Sequence, residues 1–323
     1  LGYQRELSGN LLPNVNEYHI PFDNELSIKN AAKLVYEFDA ADVDKSYIYP
    51  AMARSFRTAG IQIATHFAYD PTFLAPFNTE YNTHYMNLTY APQKALSLKI
   101  SSEVFHEVKL YQQFDKYPNN LHFNGFVVDY EKDLAEYNSE TKFFYTNHTQ
   151  SLPKNQKKLK EIAGFGNSGV VQYEGTGAYF LDRVEKGIWR LEVMPDAVRV
   201  QDPFGKNSPQ KIVSVVQWNE NLMKILLDDL GNEFAVKGIN EGNDYITETT
   251  NGQFKIKPGT YFLTKKNRAN QWKAADVFKS FHMNDFYAPA SHVEENWLKN
   301  KTQKMANEGL PLKLKSQFIG KSQ

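Results

Sequence analysis

Short β-prone runs separated by turn signals fill the second half of the chain, and this pattern constrains the fold more than any other feature. The runs begin at 121–130 and end at 260–263. Turn signals such as Lys186-Gly187 and Lys257-Pro258-Gly259 lie between them. Short strands with turns every ~8–12 residues are typical of an antiparallel β-sandwich. We therefore predict a β-sandwich domain over residues 116–270.

The first third of the chain alternates strand-like and helical segments instead. An apolar run at 34–36 precedes a helix that Ser46 can cap and Gly60 can end, and a second apolar strand follows at 61–68. A long polar and aromatic loop comes next, at 73–90. Short links before strands and long loops after them are the asymmetry of the two faces of an α/β barrel.

A second helix opens at Pro92 and carries one apolar face. We predict the incomplete end of a (β/α)8 barrel over residues 1–115. We also predict a C-terminal extension over residues 271–323, in which Ser291 and Glu294 can form a capping box before a short helix. The expected fold class is α/β plus all-β, the C-terminal portion of a (β/α)8 barrel followed by an antiparallel β-sandwich. The apolar face of the second helix comprises Leu96, Ile100, Val104 and Val108.

Composition excludes several classes of function. Lys and Arg together number 37, equal to Asp and Glu, which argues against a nucleic-acid partner. The chain has no cysteine, which excludes disulfides, thiolate nucleophiles and Cys-ligated metals. Its eight His residues form no HxH or HxxxH pattern, so we expect no metal and no cofactor. The chain begins at Leu1 without Met, and we expect a processed or incomplete product of an exported protein.

Glu37 is the main catalytic candidate. It follows the short apolar run Leu34-Val35-Tyr36, which is typical of a barrel strand buried on both faces. A carboxylate where such a strand emerges is well placed for catalysis. The structural alternative is a Glu37 bonded to loop amides or to Arg54 or Arg57.

Three further carboxylates, Asp39, Asp42 and Asp44, crowd the loop after Glu37. Like-charge repulsion in such a cluster could raise the pKa of one carboxyl group. The cluster could also hold Ca²⁺, although the spacing lacks the glycine and the distal Glu of a calcium loop.

Polar and aromatic side chains also mark the end of the next strand. His66, Phe67, Tyr69 and Asp70 could line a pocket there, whereas a lone strand histidine is more often a core residue satisfied by a backbone carbonyl. The loop at 78–87 includes Glu80 and is dense in Asn, Tyr and His, a mixture that suits sugar recognition. The alternative is an ordered loop whose polar groups satisfy one another.

Six segments of the chain have a familiar sequence: Tyr36–Asp42, Tyr49–Arg57, Gln62–Pro71, Glu174–Tyr179, Trp189–Asp196 and Lys257–Leu263. They resemble the closing part of the catalytic barrel, and the appended β-rich domain, of large exported glycoside hydrolase-like proteins of Bacteroidetes polysaccharide-utilisation systems. The resemblance covers nearly the whole chain.

The resemblance implies a retaining, two-carboxylate hydrolase of oligo- or polysaccharides, with Glu37 as the nucleophile at the end of the seventh barrel strand. The general acid/base of such enzymes is a Glu after Asn at the end of the fourth strand. The pair Asn16-Glu17 lies too close to Glu37 to fill that role, because three βα units of ~30 residues each cannot fit between them. The acid would then lie in an upstream part of the same protein. The subsites would be lined by Tyr36, His66, Phe67, Tyr69, Asp70 and Glu80.

Two other classes of function stay open. The chain could be a non-catalytic carbohydrate-binding or scaffold component of an outer-membrane glycan-uptake complex. It could also be a structural cell-surface protein, which would have no cleft and no affinity for glycans. All three hypotheses predict an extracytoplasmic location.

Overall fold

The computed structural model describes residues 5–25, 31–72, 75, 86–205 and 211–288. In this part of the chain the long helices all lie before residue 110, and strands dominate thereafter. The elements in chain order are a 3-10 helix (Leu12–Val15), β1 (Leu34–Phe38), α1 (Ile48–Thr58), β2 (Ile63–His66), α2 (Pro92–Glu107), β3 (His122–Phe123), β4 (Phe126–Asp129), β5 (Leu134–Asn138), β6 (Lys142–Tyr145), β7 (Glu161–Gly164), β8 (Val171–Tyr173), β9 (Tyr179–Glu185), β10 (Ile188–Val193), β11 (Asp196–Arg199), β12 (Ser214–Gln217), β13 (Asn221–Ile225), β14 (Phe234–Gly238), β15 (Ile246–Glu248), β16 (Gln253–Ile256), β17 (Gly259–Lys265), β18 (Val277–Phe278) and β19 (Phe281–His282).

A single βαβ unit opens the fold. Strands β1 and β2 pair in parallel, and α1 connects them. The helix ends as predicted at Gly60, whose φ of +83° only glycine adopts without strain. Ser46 is not its cap, because the capping position is Tyr47. The Ser46 hydroxyl instead donates to the Asp133 carbonyl oxygen at 2.7 Å, which ties the start of α1 to the strands that follow.

The second helix, α2, uses its predicted apolar face to join the two halves of the chain. It packs against α1 and also against β5 and β6 of the main sheet. All four residues of that face, Leu96, Ile100, Val104 and Val108, are buried.

The main sheet has ten strands in the order β15-β14-β17-β10-β9-β7-β6-β5-β4-β3. Its neighbouring strands are antiparallel except β6 and β7, which run parallel. A three-stranded antiparallel sheet, β16-β13-β8, lies over part of one face. Consecutive side chains of β6 show the two layers: Phe143 enters the core shared with the small sheet, and Phe144 enters the core shared with the helices.

The prediction of a barrel end followed by an antiparallel β-sandwich is wrong. Strand residues make up 32% of the structure and helical residues only 13%, whereas a (β/α)8 barrel needs a helix after every strand. Among the described residues, no third strand continues the parallel pairing of β1 with β2, and α2 leads into the β3–β4 hairpin. The main sheet is mixed, and the described helices pack on one of its faces.

The last described residues, 271–288, form the β18–β19 hairpin and then pass over β10. We call residues 281–288 the strap. Arg190 of β10 donates from Nε to the Met283 carbonyl oxygen at 2.9 Å and from Nη2 to that of Asp285 at 2.6 Å. The predicted helix at Ser291 and Glu294 lies outside the described residues. Among the helices that the structure describes, none is long and apolar enough to cross a membrane.

Candidate functional site at the carboxyl edge of the parallel strands

A β-bulge at the end of β1 sets the direction of the candidate side chains. Val35 pairs with Ala64 and Phe38 pairs with His66, so β1 has two residues where β2 has one. The extra residue lets Val35 and Phe38 both face the core, and it leaves both intervening side chains, Tyr36 and Glu37, exposed.

The prediction that this strand is buried on both faces is therefore wrong. Leu34 is 61% exposed, Tyr36 is 75% exposed, and Ile63, which pairs with Leu34 across the strands, is 61% exposed. Leu34 and Tyr36 are two residues apart and therefore lie on the same face of β1. We call Leu34, Tyr36 and Ile63 the apolar strip.

Glu37 lies in solvent next to this strip. The two arginines considered as its partners are held elsewhere. Arg57 donates from Nε to the Val108 carbonyl oxygen at 2.8 Å, and the Arg54 guanidinium stacks on the Tyr117 ring at 3.5 Å. Within the described ranges, the contacts of neither arginine involve Glu37.

His66, at the end of β2, belongs to a hydrogen-bonded group behind the exposed edge. Its Nε2 lies 3.1 Å from the Tyr49 hydroxyl, and that hydroxyl donates to Asp39 Oδ1 at 3.2 Å. A phenol has one proton, so a Tyr49 that donates to Asp39 accepts from His66. His66 therefore carries its proton on Nε2 when the imidazole is neutral.

Aromatic packing holds this group rigid. The His66 ring meets the rings of Phe38 and Tyr49 edge-on, with centroids 5.4 and 5.0 Å apart. Only 4% of the His66 side chain is exposed. Burial and the neighbouring Asp39 raise the pKa of Tyr49 well above its usual range, so the hydroxyl stays protonated.

A buried lysine lies beneath Tyr49. Lys94 Nζ is 4.5 Å from the centre of the Tyr49 ring and donates to the Val43 carbonyl oxygen at 2.5 Å. Burial lowers the pKa of Lys94 to about 8, against the opposing effect of Asp44, Asp39 and Asp133.

The carboxylates of the loop after Glu37 have different partners. Asp44 forms an ion pair with Arg199, and Asp39 is bonded to Tyr49. Among the described residues, no three His, Asp or Glu side chains come together as a metal site.

The remaining predicted residues separate. Tyr69 is half exposed, and its hydroxyl accepts from the Leu88 amide at 3.2 Å. Asp70 is buried, and its amide donates to the Met86 carbonyl oxygen at 2.8 Å, so it joins two segments of backbone. Phe67 continues the pairing of β2 with β1 through its amide and the Phe38 carbonyl oxygen, at 3.1 Å, and its peptide bond to the next residue is cis. Glu80 lies outside the described residues.

Sequence reasoning missed Tyr49 and Lys94. Both lie on helices whose spacing marks them as ordinary core or surface positions. Their partners are 17 and 51 residues away in the chain, and no local pattern reports such contacts.

Comparison with known proteins adds no relative. The chain matches no protein-family model, no curated protein and no solved structure.

Proposed function

We propose that this chain binds carbohydrate on the exposed face of β1 and β2, with Glu37 near the carboxyl end of β1. The observation that carries the proposal is the apolar strip beside an exposed carboxylate. Sugar rings have apolar C–H faces that stack on tyrosine, and hydroxyl groups that donate to carboxylates. Tyr36 supplies the first kind of contact and Glu37 the second.

The group behind the edge supports the same proposal through rigidity. Sites gain affinity when the contacting side chains need no reordering on binding. His66, Tyr49 and Asp39 are joined by hydrogen bonds among packed rings, which fixes the ends of β1 and β2 beside Glu37. Tyr69, three residues further on, adds a half-exposed ring near this edge.

The test is affinity electrophoresis of the full chain in gels that contain soluble plant, fungal or bacterial polysaccharides. We expect retardation by at least one glycan, and its loss in Tyr36→Ala. The control is Tyr287→Ala, which removes another exposed tyrosine, 63% exposed against 75% for Tyr36, far along the chain. Migration that no glycan changes would refute the proposal, and so would equal loss in both variants. Self-association that Tyr36→Ala abolishes would identify the strip as a protein interface instead.

Hydrolysis of glycosidic bonds with Glu37 as nucleophile is the second candidate. It is favoured by the open position of Glu37 on the bulge, since bulges often re-aim side chains next to active sites. Such chemistry also needs a general acid. Asp39 is the closest carboxylate along the chain, and it is engaged by Tyr49.

A reducing-sugar assay on any glycan that binds decides between the two. Hydrolysis predicts turnover in the native chain that Glu37→Gln removes while binding persists. Binding without turnover supports the first candidate alone. As a corollary of either function, we propose an extracytoplasmic location and a surface glycan-uptake complex as the partner.

A further inference from the structure

A cleft lies at the β3 end of the main sheet, and its lining contains no residue of β1 or β2. Its volume is about 480 Å³, within the range of small-molecule sites. One wall is the β3–β4 hairpin with its Asn124-Gly125 turn, and the other is the segment leading to Lys154. The lining includes His122, Val127 and Glu136 on the floor and Asn138 beside the second wall.

The floor is built by one cross-strand row. His122 pairs with Val127, and Val127 pairs with Glu136, so the three side chains lie on the same face of the sheet. Strands are ~4.8 Å apart, which places the backbones of His122 and Glu136 roughly 10 Å from each other. The small Val127 between them leaves room for a ring-sized ligand with a polar group at each end.

Glu136 is the unusual member of this row. Its side chain lines the cleft, although the residue is only 3% exposed. Thr149 donates to its Oε2 at 2.8 Å, and this is the sole hydrogen bond to the carboxylate among the described residues. A carboxylate has about four acceptor positions, and buried ones are normally filled. Glu136 thus has acceptor capacity that a ligand in the cleft can use.

The walls are fixed before any ligand arrives. The Asn138 amide donates to the Leu152 carbonyl oxygen and accepts from the Lys154 amide, each at 2.8 Å. On the other wall, Asn124 is bonded to Gln112 at 3.0 Å. Such side chains need no reordering on binding.

Charge in and around the cleft is balanced. The Lys154 ammonium lies 3.4 Å from Glu140, which also pairs with Lys158. A strongly anionic or cationic ligand therefore gains little, whereas a neutral ligand rich in hydroxyl donors matches Glu136 and His122. We infer that this cleft binds a neutral polyol the size of a mono- or disaccharide, with Glu136 as the principal acceptor.

Saturation-transfer NMR tests the inference with methyl glycosides of glucose, galactose, mannose and N-acetylglucosamine as probes. The full chain carries Tyr36→Ala throughout, so that the apolar strip cannot contribute. We expect at least one glycoside to receive saturation, and His122→Ala and Glu136→Gln each to weaken its binding about tenfold. Circular dichroism reports whether Glu136→Gln perturbs the fold. If it does, His122→Ala still tests the inference, because His122 is exposed.

In the amide NMR spectrum of the protein, we expect the bound glycoside to shift the signals of Gly125 and Asn138. Absence of saturation for all four probes would overturn the inference. Binding that neither cleft variant alters would do so as well. The Tyr36→Ala background removes the tyrosine of the apolar strip, so binding in this experiment does not depend on that tyrosine. If a glycoside binds here while no glycan retards the native chain in the gel, the proposed function is refuted and this inference stands.

Discussion

The Tyr49 hydroxyl lies 3.1 Å from His66 Nε2, and this bond joins α1 to the end of β2. The same hydroxyl donates to Asp39, just beyond the end of β1. One side chain of the crossover helix therefore fixes the geometry at the ends of both parallel strands. The candidate site depends on a residue that need not touch any ligand.

Replacing this hydroxyl tests its role. Tyr49→Phe removes the donor to the partly buried Asp39 and the acceptor for His66, and we expect a loss of about 1–3 kcal/mol in the free energy of unfolding. Urea titration measures it, with the exposed Tyr36→Phe as a control expected to change nothing. Nitrogen NMR should show the Nε2–H tautomer of His66 in the native chain. A Nδ1–H tautomer would contradict the bonding scheme.

Lys94 should make stability depend on pH in the alkaline range. Its pKa is about 8 in the folded chain, against the ordinary value of 10.5 that we assign to the unfolded chain. Between these values the unfolded chain holds a proton that the native state has released, so the free energy of unfolding rises with pH. Below pH 8 both states are protonated, and the cost of burying the charge is present in full.

The matched variant is Lys94→Met. Native stability relative to this variant should rise by about 1.4 kcal/mol per pH unit from pH 8 to about 9.5, before tyrosines begin to ionise. Denaturant titrations at a series of pH values provide the difference. A difference that stays flat with pH would show that Lys94 is not desolvated.

The shared core of the helices and the main sheet depends on α2. Ile100 is fully buried there, and Ile100→Ala should cost about 2–5 kcal/mol because it leaves a cavity. The control is Ile246→Ala, at 72% exposure on the edge strand β15, which should stay within about 0.5 kcal/mol of the native chain. Equal effects of the two changes would contradict the packing.

The strap over β10 should fail when Arg190 is removed. Arg190→Ala leaves the buried Glu192 without its cation, whose Nη1 lies 3.0 Å from Glu192 Oε2, and breaks both bonds to the strap. We expect a loss of about 3–5 kcal/mol and rapid proteolysis within 281–288. Adding Glu192→Gln should restore part of the stability and leave the strap cleavable. Protection of the strap in both variants would show that other contacts hold it.

Local patterns in the sequence located several individual features. The predicted Lys186-Gly187 turn joins β9 to β10 with a glycine φ of +77°, and the predicted apolar face of α2 is buried throughout. Each of these features depends on residues close together in the chain. Period and turn chemistry are therefore sufficient to locate them.

The pairing of the strands could not be predicted in the same way. Phe143 and Phe144 face different cores, and nothing in their spacing tells which layer covers each. The β-bulge at Tyr36 and Glu37 could not be predicted from the sequence, because one extra residue in a strand leaves its local composition unchanged. It nevertheless reverses the expected burial of β1, and the prediction of a catalytic Glu37 lost the support that a barrel strand would have given it.

The main sheet ends on two very short strands. β3 has two residues and β15 has three, so each border offers few open N–H and C=O groups. A long bare border would recruit strands from other molecules and seed fibrils. The two end strands of the described ten-stranded sheet thus leave another molecule little backbone to pair with.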